Sequence, residues 1–122
     1  MKKILIVEDE LAYVKLLREQ LASTYKVICV YDGIEGLAAA KREHPDLILL
    51  DVRMSGMDGM TMLKELRKDS YGRSAKVIVL TNYEADDKIL VQVAQDLPTY
   101  YFVKSDIELY ELLEKIEEVL SQ

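Results

Sequence analysis

The chain of 122 residues has one cysteine, Cys29, which excludes an internal disulfide framework and a thiolate metal cluster. Cys29 lies in the apolar stretch Val27 to Val30, where a thiol is expected to be buried and inert. Long apolar runs are also missing, and none approaches the roughly 20 residues of a membrane-spanning helix. Lys2-Lys3 ahead of Ile4-Leu5-Ile6-Val7 has the outline of a secretion signal. The run is too short, however, and Glu8-Asp9-Glu10 stands where a small-residue cleavage site belongs. A cytoplasmic protein without membrane association is expected. Positive charge is scarce, with 16 Lys and Arg against 22 Asp and Glu, which argues against direct nucleic-acid binding or an anionic membrane surface as partner. The only histidine, His44, precedes Pro45 at a predicted helix end. A surface histidine complementing the helix dipole suits that position better than a phosphate carrier. There is no internal repeat, low-complexity stretch or linker, so residues 1–122 read as a single domain with one core, and no output domain is expected within them.

What is present is a set of short apolar runs with polar ends. Strands are predicted at Lys3–Val7, Lys26–Val30, Leu47–Leu50, Lys76–Leu80 and Tyr100–Val103. Helices are predicted near Glu10–Ser23, Ile34–Glu43, Gly59–Lys68, Ala85–Gln95 and Asp106–Leu120. The last carries Leu109, Leu112, Leu113, Ile116 and Leu120 as a one-sided stripe. Ser105-Asp106-Ile107-Glu108 fits a capping box for it, and Asp58 can cap the helix that starts at Gly59. Strand and helix alternate throughout, which implies an α/β fold with a parallel sheet covered on both faces. Met54, Met57, Met60 and Met62 suggest an adaptable partner surface, with at least half of them better read as loop or core filler, and Asp86-Asp87 and Glu117-Glu118 read as solvated helix faces.

Four of these strands, all expected to be buried, end in reactive groups: Glu8 and Asp9 after the first, Asp51 after the third, Thr81 after the fourth, Lys104 after the fifth. In an open parallel sheet those ends border the ligand crevice. Carboxylates gathered there raise one another's pKa unless a cation joins them, and all-oxygen ligation suits Mg²⁺. The plainer alternative is three solvated acids at loop starts, common in the first turn of helices. An ammonium at Lys104 and a hydroxyl at Thr81 tip the balance. Carboxylates act as covalent nucleophiles in aspartyl-phosphate chemistry, and phosphoryl transfer needs mainly positioning and charge neutralisation.

On Ile4-Leu5-Ile6-Val7-Glu8-Asp9-Glu10, Pro45 to Asp51, Met57-Asp58-Gly59, Val79-Leu80-Thr81 and Tyr101-Phe102-Val103-Lys104, the chain resembles the receiver domain of bacterial two-component response regulators (the CheY-like superfamily) over essentially its whole length. The resemblance implies a flavodoxin-like (βα)5 three-layer sandwich with sheet order 2-1-3-4-5. It implies a signalling receiver in a phosphorelay, catalysing only its own phosphoryl transfer and dephosphorylation. Asp51 would accept a phosphoryl group from a histidine kinase or phosphotransfer protein. Mg²⁺ would lie on Asp9, Asp51 and the backbone carbonyl of Arg53, with Glu8 acting mostly through water. Thr81 and Lys104 would bind phosphoryl oxygens, Thr81 and Tyr101 would form the switch, and Arg53 and Tyr83 would flank the path of attacking water. Output would leave through the fourth helix, fifth strand and fifth helix, the face by which family members often form homodimers.

Departures from the family pattern are Ser105 for the usual proline after the lysine, Ser55 for a loop proline, Asn82 for a small residue, and Leu97-Pro98 for Gly-Ala. A trans Lys104–Ser105 bond is expected, because a cis bond outside proline costs roughly 2.5–4 kcal/mol. Two alternatives differ in class. An aspartate-nucleophile phosphatase of the dehalogenase type generally has a second aspartate two positions after the nucleophile, where this chain has Arg53. A phosphorylation-independent interaction module would lack one of the acids, Thr81 or Lys104, and all are present.

Overall fold

The computed structural model describes residues 1–82 and 84–122; Tyr83, placed by the family pattern beside the site, lies outside the described residues. Strands β1 (Lys3–Val7), β2 (Lys26–Val30), β3 (Leu47–Leu50), β4 (Val77–Thr81) and β5 (Tyr100–Val103) alternate with helices α1 (Leu11–Leu21), α2 (Gly33–Glu43), α3 (Gly59–Leu66), α4 (Asp87–Asp96) and α5 (Leu109–Leu120). All strand pairs are parallel, and the order is β2-β1-β3-β4-β5, the flavodoxin-like arrangement.

Alternation along each strand divides the core. Leu5, Val7, Ile48, Leu50, Val77 and Val79 point to the side where α2, α3 and α4 contribute Ala39, Met62, Leu66 and Ile89. Ile4, Ile6, Leu47, Leu49, Ile78 and Leu80 point to the other, against Val14 and Leu17 of α1 and Leu112, Ile116 and Val119 of α5. Central strands buried on both faces explain the unbroken apolar runs. Met60 and Met62 are core residues, with Met54 and Met57 packed at its margin.

Three expectations need correction. β5 was expected to be buried, yet all four of its residues are only half-buried, because the strand order makes it an edge. Cys29 is half-buried for the same reason, on the opposite edge. The helix expected from Asp106 begins at Leu109, capped by Glu108, whose N–H donates to Glu111 Oε1 at 3.1 Å. Lys104–Asp106 instead forms a separate 3-10 turn. Ile107 separates the two: it is extended (φ −125°, ψ 130°) and packs against the α1–α5 cluster, and a residue so placed cannot continue a helix. No peptide bond among the described residues is cis, Lys104–Ser105 included.

Candidate functional site

Register brings the reactive groups together. Val7 of β1 lies opposite Leu50 of β3, so Glu8 and Asp51 leave the sheet side by side. Thr81 is the last residue of β4, opposite Val103 of β5, and Lys104 follows one step beyond. The backbone anchors each start: the Glu8 N–H donates to the Val30 carbonyl at 3.1 Å and the Asp51 N–H to Val7 at 3.0 Å. Gly59 sets the far wall. Its N–H donates to the Val52 carbonyl at 2.7 Å, and a Cβ there would collide with the Asp51 carbonyl. Only glycine lets α3 start so close to the strand end. Asp58 caps that helix, accepting from the Thr61 N–H at 2.8 Å, as its position in the sequence predicts.

Glu8, Asp9 and Asp51 each offer a carboxylate oxygen within 4.8 Å of the others. Glu8 is 3% exposed, Asp51 6% and Thr81 0%, while Asp9 is open to solvent. Asp51 Oδ1 accepts from the Val52 N–H at 2.8 Å. Glu8 accepts from the Glu10 N–H at 3.1 Å and from Lys104 Nζ at 2.6 Å. The close ion pairs of Lys104 are with Glu8 and, at 3.8 Å, Glu10, and it acts on Asp51 through its charge.

These acids are out of balance. Burial pushes Glu8 from 4.5 up to about 7, Asp51's charge adds to the rise, and the Lys104 hydrogen bond only partly opposes it. A 2.6 Å pair would ordinarily hold a carboxyl low; here desolvation is the larger effect. Asp51 is raised as well, first by burial and then by Asp9, against the pull of Glu8's hydrogen bond, Lys104 and the Val52 N–H. Three oxygen donors, two of them raised by burial and crowding, form a set that a hard divalent cation fits.

Arg53 is exposed in the loop after Asp51. Tyr101, at mid-β5, is half-buried and packs against the α2–α3–α4 cluster. Its hydroxyl is raised by burial and then by Asp86, with Arg53 opposing. Tyr13 went unrecognised in the sequence. It sits in the first turn of α1, half-buried, with its ring centroid 4.2 Å from Lys104 Nζ. Burial, then Glu8, Glu10 and Asp51, push its hydroxyl to about 12. Its place one helical turn beyond the acidic strand end, in line with Leu17 and Leu21, was the available signal.

Comparison with known proteins agrees with this architecture. The family model described as response regulator receiver domain matches residues 4–117. Response regulator PleD of Caulobacter vibrioides is 45% identical over 80 residues, 65% of this chain; the chain spans only 18% of PleD's length. A CheY-like response regulator receiver domain protein from Methanospirillum hungatei JF-1 superposes with a TM-score of 0.88 at 30% identity, covering 99% of this chain and 94% of that one. The receiver domain of sensor histidine kinase PA1611 from Pseudomonas aeruginosa PAO1, solved with a magnesium ion coordinated in its active-site cleft, gives 0.86 at 28% identity, covering 99% and 98%. With the strand order, the acid cluster and the family match in agreement, the chain belongs to the response regulator receiver domain family.

Proposed function

We propose that this chain is a phosphoryl-accepting switch in two-component signalling, with Asp51 as the acceptor. The observation that carries the reading is the buried Asp51 carboxylate within 4.8 Å of Glu8 and Asp9, at the strand ends that Lys104 also borders. Asp9, Asp51 and the Arg53 carbonyl would hold magnesium, with Glu8 engaged through water; the all-oxygen donor set supports this. A bound magnesium ion supplies positive charge next to the phosphoryl oxygens.

The chain's own residues do the rest. The Val52 N–H fixes one Asp51 oxygen, which orients the carboxylate. The other attacks phosphorus, and the bond from phosphorus to the donor's histidine nitrogen breaks with its electron pair going to the imidazole. Lys104 exchanges Glu8 for a phosphoryl oxygen, and the Thr81 hydroxyl donates to another. Burial of Thr81 and Asp51 keeps water out, which strengthens these contacts. Movement of Thr81 toward the phosphoryl group would draw Tyr101 inward and alter the face made by α4, β5 and α5. That face carries exposed Leu90, Val91 and Tyr110, which would suit a homodimer. A histidine kinase or phosphotransfer protein would be the donor.

Incubation with a small phosphodonor, with and without Mg²⁺, followed by intact mass, tests the proposal. One added phosphoryl group is expected in the native chain with Mg²⁺ and none in Asp51→Ala. Equal labelling of the mutant, or labelling that survives a chelator, would refute it.

A further inference from the structure

Lys104 directly follows β5 and opens a short 3-10 turn. The turn it opens has no buried residue and no side-chain cap, and Ser105 and Asp106 are exposed. A lysine stem on such a base is flexible and loses rotamer freedom when fixed. Yet the Lys104 side chain is only 7% exposed. Three groups from the segment joining β1 to α1 and the first turn of α1 surround its ammonium: Glu8 at 2.6 Å, Glu10 at 3.8 Å, and the Tyr13 ring at 4.2 Å.

The three differ in kind. Glu8 belongs to the carboxylate cluster, so any ligand that engages the cluster competes with its pairing to lysine. Glu10 has a side chain 48% exposed, and water screens it. The ring is neutral and attracts the cation through its quadrupole. An ammonium offers three N–H donors, and a contact with the face of a ring leaves donors for a carboxylate or a phosphoryl oxygen. The ring's place is set by the core, since Tyr13 packs against the same cluster as Val14 and Leu17.

We infer that Tyr13 is a positioning residue for Lys104: its ring keeps the ammonium beside the carboxylate cluster while the lysine exchanges Glu8 for a phosphoryl oxygen on Asp51. The inference rests on the phosphoryl-acceptor reading above. An aliphatic side chain of similar size fills the same space without attracting a cation, whereas phenylalanine does both.

The native chain, Tyr13→Phe and Tyr13→Leu are compared in two measurements. The first needs no phosphodonor: the NMR resonance of the Lys104 ε-methylene, assigned by its loss in Lys104→Arg. It is expected upfield of ordinary lysine, displaced by the ring, in the native chain and Tyr13→Phe, and at the ordinary position in Tyr13→Leu. An undisplaced native resonance overturns the contact. The second is the rate of Asp51 phosphorylation by acetyl phosphate at saturating Mg²⁺, followed by intact mass over a range of donor concentrations. Tyr13→Phe is expected within about twofold of native, and Tyr13→Leu to lose roughly three- to tenfold in maximal rate, with the same thermal midpoint as Tyr13→Phe. Equal rates in the two variants, with the native chain labelled, overturn the positioning role. A native chain that takes no phosphoryl group refutes the acceptor reading itself, and the resonance still decides whether the ring holds the lysine.

Discussion

At the C-terminal end of the sheet, Glu8 and Asp51 are buried within reach of each other and of Asp9, and burial raises both. At the N-terminal end, Arg67 is a half-buried charge that is matched differently. Its guanidinium donates to the carbonyls of Asp96 (2.7 Å), Gly72 (2.7 Å), Ala75 (2.8 Å) and Leu97 (3.0 Å). It thereby joins the end of α3, the loop before β4 and the end of α4, where Leu97 takes a left-handed conformation (φ 42°). Nearby, the Tyr71 hydroxyl donates to the Pro45 carbonyl at 2.7 Å, and the His44 ring stacks on Tyr71 at 4.4 Å. One end meets its polar needs mainly from within, although Asp96 Oδ2 is buried without a partner. The other concentrates like charge and offers it to a ligand. Scaffold and site are thus separated along the strand direction, and stability can be concentrated at one end while chemistry is tuned at the other.

Breaking the self-satisfied end should have the largest effect on stability. Arg67→Met removes charged donors from four carbonyls and should cost about 3–4 kcal/mol, read as a lower denaturant midpoint. Mg²⁺ binding by the folded variant should stay native-like. Loss of Mg²⁺ binding with unchanged stability would show that the two ends are not separable in this way.

The charged end should declare itself through pH. Glu8 holds its proton up to about pH 7 in the folded chain, whereas its ordinary value is 4.5. Between those values the folded state binds more protons than the unfolded one, so this group's contribution to stability falls as pH rises. In the metal-free protein the loss should be roughly 2–3 kcal/mol across that window. Glu8→Gln should flatten that part of the pH profile, measured as unfolding free energy against pH. A native profile parallel to that of Glu8→Gln would contradict the assignment.

The smallest effect concerns the start of α5. Glu111→Ala loses the bond from the Glu108 N–H and should cost about 0.5–1 kcal/mol. Ser105→Ala should stay within about 0.5 kcal/mol, as surface changes generally do. Chemical denaturation distinguishes them, and the reverse order would move the cap back to Ser105.

That cap marks where the sequence stopped being legible. Ser105-x-x-Glu108 and Glu108-x-x-Glu111 both resemble helix starts, and serine is the better capping residue. The choice depends on Ile107 reaching a cluster built by α1 and α5, which no local pattern encodes. The strands were readable almost to the residue, because buried runs such as Leu47 to Leu50 have sharp polar ends. β4 lies one step later than expected because Thr81 remains in register with Val103. The sheet order came from family resemblance, since periodicity carries no information on which strands are neighbours, and the edge exposure of β5 and β2 follows from that order. The acids at the strand ends were visible as candidates. The pairing of Lys104 with Glu8 and the ring of Tyr13 were not, because both are long-range contacts, with Glu8 and Lys104 lying 96 residues apart in the chain.

The crowded carboxylates at the C-terminal end should stay out of balance until a cation joins them. The direct measurement is the thermal midpoint of the native chain and of Asp51→Asn, each with and without Mg²⁺ near neutral pH. Without the ion, removing one of the crowded charges should raise the midpoint by a few degrees, about 1 kcal/mol in a domain of this size. Mg²⁺ should then stabilise the native chain and have much less effect on the variant. An Asp51→Asn midpoint at or below native in the absence of Mg²⁺, with equal Mg²⁺ responses in the two proteins, would contradict it.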